Sequence, residues 1–399
     1  MFRTKVLALL AVLAVACGTA QGVERPLSGD VLLLATAQGI ETLSVTTGRI
    51  DQRISEGIVG PDGLIVSTSF DGTSTRVNAM APTGKVLSRV EVEGDVVGRI
   101  VTAELIALVD RAGAGDTAYL SAPKARTRIV VLDDDGRQRE FMLDGNFEPE
   151  AFKVDGSELF MIEYIPAMAP DRYRVRRLKL ESGAVMPIGR LKQNAPGQMQ
   201  GTGRSQVMSP YEDELYTLYT QQLDAGHEGA EHEEGVAHAF VHVLNLGQGW
   251  AHCIDLPSVF ASGLATASAI AVNPNGSRVF VGDWTSGAVA ALNPQRVRLV
   301  KTVTGLDLGT EDDETFAQAS DDRLYLAGNA SVAVLDAETF RILERWSVGA
   351  EVTGIRLVEE RLFVSTTDSV EVMDAASGKV LRSILVAGAI GIEGVVLDV

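Results

Sequence analysis

"RLYLAGNASVAVLDAETFRILERWSV", residues 323 to 348, aligns without a gap on "RLFVSTTDSVEVMDAASGKVLRSILV", residues 361 to 386, at an offset of 38 residues. Leu324 falls on Leu362, Asp336 on Asp374 and Trp346 on Ile384. Each copy contains an apolar run, a short turn, a second run that alternates with period two, an Asp-led turn and a third run. Alternation with period two predicts half-buried strands. The Asp-x-x-x-Gly or Asp-x-x-Thr turn suits a tight hairpin, because Asp hydrogen-bonds its own downstream backbone and Gly accepts positive φ.

The same three-strand phrase occurs eight times, beginning at Val31, Leu64, Leu105, Leu159, Leu215, Val279, Leu324 and Leu362. Spacings are 33, 41, 54, 56, 64, 45 and 38 residues, so the middle copies carry insertions. A further short strand precedes most copies, as in "ASAIAVNPNGSRVFVGD", where Asn273-Pro274-Asn275-Gly276 makes the turn. Four antiparallel strands per unit, repeated at this interval, predict the blades of an all-β propeller. The first copy lacks a preceding strand, since Pro26 in "VERPLSGD" argues against pairing. The chain ends in "AIGIEGVVLDV", a strand with no triplet after it. If that strand completes blade 1, no sheet edge is left open and the count is eight blades. The alternative is seven, with one long middle unit as an excursion.

The units "VNPNGSRVFVGDWTSGAVAALNP", "RLYLAGNASVAVLDAETFRI" and "RLFVSTTDSVEVMDAASGKVL" resemble the YVTN-type repeats of bacterial envelope propellers, in the wider group of quinoprotein dehydrogenase-like and WD40-like folds. The likeness runs from about residue 268 to the end and is thin before residue 200. It implies a fold and no single function, because this architecture serves enzymes, receptors and scaffolds alike.

Residues 1–22 open with Arg3 and Lys5, then an apolar run from Val6 to Ala16 and small residues, the layout of an export signal. The run is too short for a permanent membrane helix, and residues 23–399 are expected to form one soluble propeller domain. Cleavage after Ala16 would make Cys17 the N-terminus, as in an acylated bacterial lipoprotein. Cleavage after Ala20 or Gly22 would discard it and give plain secretion. Cys253 is the one remaining cysteine, so no internal disulfide is expected. The charge is −18, and losing Arg3 and Lys5 takes it to −20. So acidic a surface excludes nucleic acid and anionic lipid as partners, leaving at most a lipid anchor on an otherwise monomeric protein.

Four of the five histidines lie in "HEGAEHEEGVAHAFVH", residues 227 to 242. His238, Phe240, His242 and Leu244 fall on one face of the strand that ends this stretch. At ~3.3 Å per residue His238 and His242 stand roughly 13 Å apart, too far to share one transition metal. A metal site would therefore use His227, His232 and Glu231 of the Gly-rich insertion, with His238 at the strand entrance. Imidazole with carboxylate suits zinc or a related ion; the competing reading is a solvated polar loop. His252 and Cys253 in "GWAHCIDLP" are expected to be structural.

The first strand of each blade carries no histidine, so acid–base or anion-stabilising chemistry at a central channel would fall to Glu150, Glu393, Arg99 and Arg356. No coherent catalytic constellation emerges. A second surface candidate is "FMIEYIPAMAPDRYRVRRLKLESG", where Tyr164, Pro166, Met168, Pro170 and Arg172 could contact a protein or glycan, or the arginines could pair with neighbouring acidic strands. Two functions follow: a binding or scaffold module for an envelope partner, or a lactonase-like hydrolase or lyase working in the channel.

Overall fold

The computed structural model describes residues 29–112, 122–190, 197–201, 204–222, 237–261, 264–309 and 314–397. The fold is all-β, a β-propeller of eight blades, each built on four strands, and the described residues add only three short 3-10 turns. No helix among them is long and apolar enough to cross a membrane. Chain contacts divide the molecule into two compact units. The first is Met1–Ala112 with Arg128–Met142 and Gly388–Val399; the second is Gly113–Thr127 with Leu143–Ala387.

In the first unit, blade 1 holds β1 (Val31–Thr36), β2 (Gly39–Ser44) and β3 (Ile50–Ile54). Blade 2 is β4 (Gly57–Val59), β5 (Ile65–Phe70), β6 (Ser74–Met80) and β7 (Val86–Glu93). Blade 3 is β8 (Val96–Val101), β9 (Leu105–Asp110), β10 (Arg126–Asp133) and β11 (Gln138–Asp144).

In the second unit, blade 4 is β12 (Asn146–Phe152), β13 (Glu158–Ile165), β14 (Arg172–Lys179) and β15 (Val185–Pro187). After β16 (Gly189–Arg190), blade 5 follows as β17 (Arg204–Met208), β18 (Glu214–Gln222), β19 (His238–Asn245) and β20 (Trp250–Asp255). Blade 6 is β21 (Ser268–Val272), β22 (Val279–Asp283), β23 (Ala288–Asn293) and β24 (Arg298–Val303). Blade 7 is β25 (Phe316–Ala319), β26 (Arg323–Gly328), β27 (Ser331–Asp336) and β28 (Ile342–Ser347). Blade 8 is β29 (Val352–Val358), β30 (Arg361–Thr366), β31 (Ser369–Asp374) and β32 (Val380–Leu385).

The last strand, β33 (Ala389–Val396), pairs antiparallel with β1, from Val31 opposite Val396 to Thr36 opposite Ala389. Blade 1 therefore takes its fourth strand from the carboxyl end, as the unpaired "AIGIEGVVLDV" predicts, and the count is eight rather than seven.

The expectation of half-buried middle strands needs correcting. Val332 to Leu335 of β27 are all buried, and so are Val279 to Asp283 of β22. The alternation sorts residues between two apolar interfaces instead of between core and water. In β19, Phe240 and Leu244 pack with Phe160, Ile162 and Tyr173 of blade 4. Ala239, Val241 and Val243 pack with Ile270 and Val281 of blade 6. Solvent returns at the fourth strands, where most residues of β28 and β32 are exposed and Trp346 and Ile384 alone are buried. Blade 5 is an exception: β16 lies parallel along β20, and Ala251 to Ile254 are buried.

The Asp-led hairpin turns form as expected. Asp374 Oδ1 accepts the Ser377 amide at 2.8 Å and Asp336 Oδ1 accepts the Thr339 amide at 2.7 Å. The Ser377 hydroxyl, which also donates to Asp374 Oδ1, holds that carboxyl group below the usual aspartate range, and the Thr339 amide does the same for Asp336. Blade 8 fills the left-handed position of its turn with Gly378, at φ 66°. Blades 6 and 7 use Val297 (φ 48°) and Phe340 (φ 63°), which carry a Cβ where none is favoured. Phe340 offsets the strain by burial: its ring is 1% exposed, meets Phe280 edge-on at 6.3 Å and lies 5.2 Å from Lys301 Nζ.

Two substitutions should therefore part company in urea denaturation. Val297→Gly is expected to stabilise by up to about 1 kcal/mol, because relief of strain outweighs the loss of a half-buried side chain. Phe340→Gly should cost about 2–3 kcal/mol, because the lost burial exceeds the same relief.

Candidate functional site

Antiparallel blades send their second-to-third hairpins and their blade-to-blade connections to one end, and their remaining turns to the other. Here the two ends differ. No first-to-second or third-to-fourth turn exceeds six residues, the longest being Asn273–Arg278. All longer connections emerge at the opposite end: 111–125, 188–203, 223–237, 256–267 and 304–315. In each blade concerned, the extra length falls at that strand end.

Around blade 4 the described parts of these segments are stitched together. The Lys124 amide donates to the Ala167 carbonyl at 3.1 Å. Asn146, fully buried on β12, donates its Nδ2 to the carbonyls of Ala122 at 2.9 Å and Ala167 at 3.3 Å. Below them Lys124 Nζ meets Glu148 Oε2 at 3.2 Å, the lysine side chain 13% and the glutamate 2% exposed. Towards blade 5, Tyr173 and Met199 exchange backbone hydrogen bonds of 2.9 and 2.7 Å. Gly201 then pairs with Gln222. A Cβ at Gly201 would meet the Gln221 carbonyl oxygen at 2.3 Å, so only glycine lets these two backbones approach. The Tyr173 hydroxyl donates to Gln222 Oε1 at 3.1 Å, and Gln222 Nε2 donates to the Thr220 carbonyl at 3.0 Å. Beneath runs an aromatic row, Tyr164 to Tyr173 to Tyr219 to Phe240, with centroids 6.1, 5.9 and 5.2 Å apart.

The partner-contact candidates separate on this face. Pro166 and Met168 are exposed, Met168 by 60%, Pro170 is half-buried and Arg172 is exposed. Tyr164 does not belong with them: only 3% exposed, it is core, because strand alternation turns its ring towards blade 5. The arginines take the acidic-strand option. Arg174 and Arg176 both reach Glu163, at 2.6 and 3.0 Å, and Arg177 reaches Glu158 at 3.2 Å. The Glu163 bond raises the pKa of Arg174. Arg172 meets Asp171 at 3.2 Å and Gln198 at 3.5 Å.

The stem of the histidine-rich hairpin is described, with His238 opposite Gln222 across a register irregularity. His227, Glu231 and His232 lie outside the described residues, as does Cys17. Among the described residues no group of three or more His, Cys, Asp or Glu could hold a metal. His242 and His252 are buried, and His242 meets the Tyr219 ring edge-on at 6.1 Å. Cys253 is buried too, and burial together with nearby Asp255 pushes its thiol up, out of the reactive range.

The four channel candidates lie on blade-first strands or on β33. Arg99, Glu150 and Glu393 are each the extra residue of a β-bulge, at the register breaks of β8, β12 and β33. Bulges re-aim a side chain, and the sequence gives no sign of them. Arg356 is an exposed residue in regular register on β29. Glu150 Oε1 accepts Gln206 Nε2 at 2.8 Å, and the same nitrogen reaches Thr217 Oγ1 at 3.1 Å. Sequence reasoning missed Lys124, Asn146 and Glu148; the one available cue was the pair of glutamates, Glu148 and Glu150, between the phenylalanines of "NFEPEAF".

No sequence family and no curated protein matches the chain. Among solved structures it is similar to Saccharomyces cerevisiae Sqt1, at 11% identity and TM-score 0.52, over 84% of this chain and 86% of that one. It is also similar to the dihydro-heme d1 dehydrogenase NirN in complex with DHE, at 14% and 0.50, over 96% and 78%. BamB from Moraxella catarrhalis gives 14% and 0.46, over 84% and 88%. At such identities the likeness speaks to the fold alone.

The Lys124–Glu148 pair should hold the stitched loops in place. Lys124→Met leaves a carboxylate buried without its cation and should cost about 3 kcal/mol in urea denaturation, while Lys124→Met with Glu148→Gln should recover most of that loss.

Proposed function

We propose that this is an exported, YVTN-like propeller that acts as a binding module, and that a protein or glycan of the cell envelope docks on the loop face of blades 4 and 5. The observation that carries the reading is the placement of the long connections at one strand end of their blades, together with the hydrogen bonds that tie Ala122 and Lys124 to Asn146 and Ala167, and Met199–Gly201 to Tyr173 and Gln222. Binding residues concentrate on loops held by a rigid scaffold. The tip formed by Pro166, Met168 and Ala169 is exposed and uncharged in a protein of charge −18. Export, with or without acylation at Cys17, would bring that face to envelope components. The alternative reading is a hydrolase or lyase working through the channel candidates Glu150, Glu393, Arg99 and Arg356, of which Glu150 accepts a hydrogen bond from Gln206 on one carboxylate oxygen.

A photo-crosslinking residue at Met168 should capture the partner from envelope extract. The same residue at Val154, 61% exposed on the opposite end of blade 4, should not. Equal capture at both positions would sink the assignment of the face.

We further infer that a transition metal is held by the hairpin between β18 and β19. His238 opens β19 at the root of this hairpin, and three residues of extended strand separate it from His242, so His227, His232 and Glu231 are the ligands left to join it. Zinc titrated into the purified protein should give micromolar binding that weakens at least about tenfold in His238→Ala. Absence of heat at micromolar zinc would remove the metal.

A further inference from the structure

Blade 6 turns from its first to its second strand through Asn273-Pro274-Asn275-Gly276-Ser277, and the Asn-Gly step within it is chemically labile. In an unstructured chain, the amide nitrogen after an asparagine can attack the side-chain carbonyl, and glycine hinders it least. The fold confines each atom of that reaction. Asn275 Oδ1 accepts the Ser277 amide at 2.9 Å and Asn273 Nδ2 at 2.9 Å. Asn275 Nδ2 donates to Asp321 Oδ1 of blade 7 at 2.8 Å. The would-be nucleophile, the Gly276 amide, donates to the Asn273 carbonyl at 2.9 Å. The Gly276 carbonyl accepts Gln295 Nε2 at 2.7 Å. Gly276 sits at φ 66°, where glycine is favoured, so the labile dipeptide is also the one the turn requires.

We propose that Asn275 is a fold-gated deamidation site, closed while the seam between blades 6 and 7 is intact and altered irreversibly once it opens. When the turn loosens, Gly276 N–H loses its proton to hydroxide and the nitrogen bonds to Asn275 Cγ. The Cγ–Nδ2 bond breaks as Nδ2 takes a proton from water, and the nitrogen leaves as ammonia while hydroxide is regenerated. Water then opens the five-membered imide at either carbonyl, giving aspartate or isoaspartate. The aspartate product cannot return to the native contact, because it replaces a donor to Asp321 with a second carboxylate where 2.8 Å separated the partners. Like charges at that distance repel. The modification would therefore weaken the contact across the seam whose loosening allowed it.

The experiment is mildly alkaline incubation at 37 °C, with mass spectrometry of the peptide containing Asn275. Native protein should deamidate at least about tenfold more slowly than the chain in urea at the same pH. Asp321→Ala, which removes the acceptor on Nδ2, should accelerate the native rate several-fold. Equal rates in native and unfolded chains, or no acceleration in Asp321→Ala, would overturn the gating. A second measurement tests the consequence. Asn275→Asp should lower Tm by about 2 °C, and adding Asp321→Asn should restore it; an unrestored Tm would overturn the proposed repulsion.

Discussion

The middle strands of each blade are apolar on both faces, and that demand organises the rest of the molecule. A sheet with two apolar faces is stable only between neighbours that bury both. Within the second unit, successive clusters fill the seams from blade 4 to blade 8, and within the first unit two more fill those from blade 1 to blade 3. Interiors of this kind pack as densely as organic crystals, so the strands have little freedom to vary. Variation is left to the connections.

The connections use that freedom unevenly. Turns on one end are short and locked by their own side chains, as where Asp155 accepts the Ser157 amide at 3.0 Å and pairs with Lys153. The other end carries the long segments, and their described parts hydrogen-bond to neighbouring loops and strands. A loop face whose parts share hydrogen bonds enters an encounter already ordered and forfeits less entropy on binding.

Much of the architecture was legible from residues alone, because hydrophobic period and turn chemistry are local properties. The 38-residue offset, the Asp-led turns and the unpaired tail together predict eight blades and the seam strand. The sign of burial was not legible: period two in β27 looks the same whether its second face meets water or another blade. The face itself was partly visible in "IPAMAP", but not the pairing of Lys124 with Glu148 or the bulges under Arg99, Glu150 and Glu393. Those depend on segments distant in sequence meeting in space. Tyr164 was misassigned for the same reason, since a tyrosine beside a proline loop reads as surface until the neighbouring blade covers it.

The pairing of β1 with β33 has a bearing on how the molecule comes into being. Val31 cannot find its partner until Val396 has been synthesised, so the earliest strand waits on almost the latest. Contacts of such sequence separation are slow to form and leave apolar edges uncovered meanwhile. The first blade therefore stays one strand short until nearly the whole polypeptide has been made, and its completion is a late event in folding.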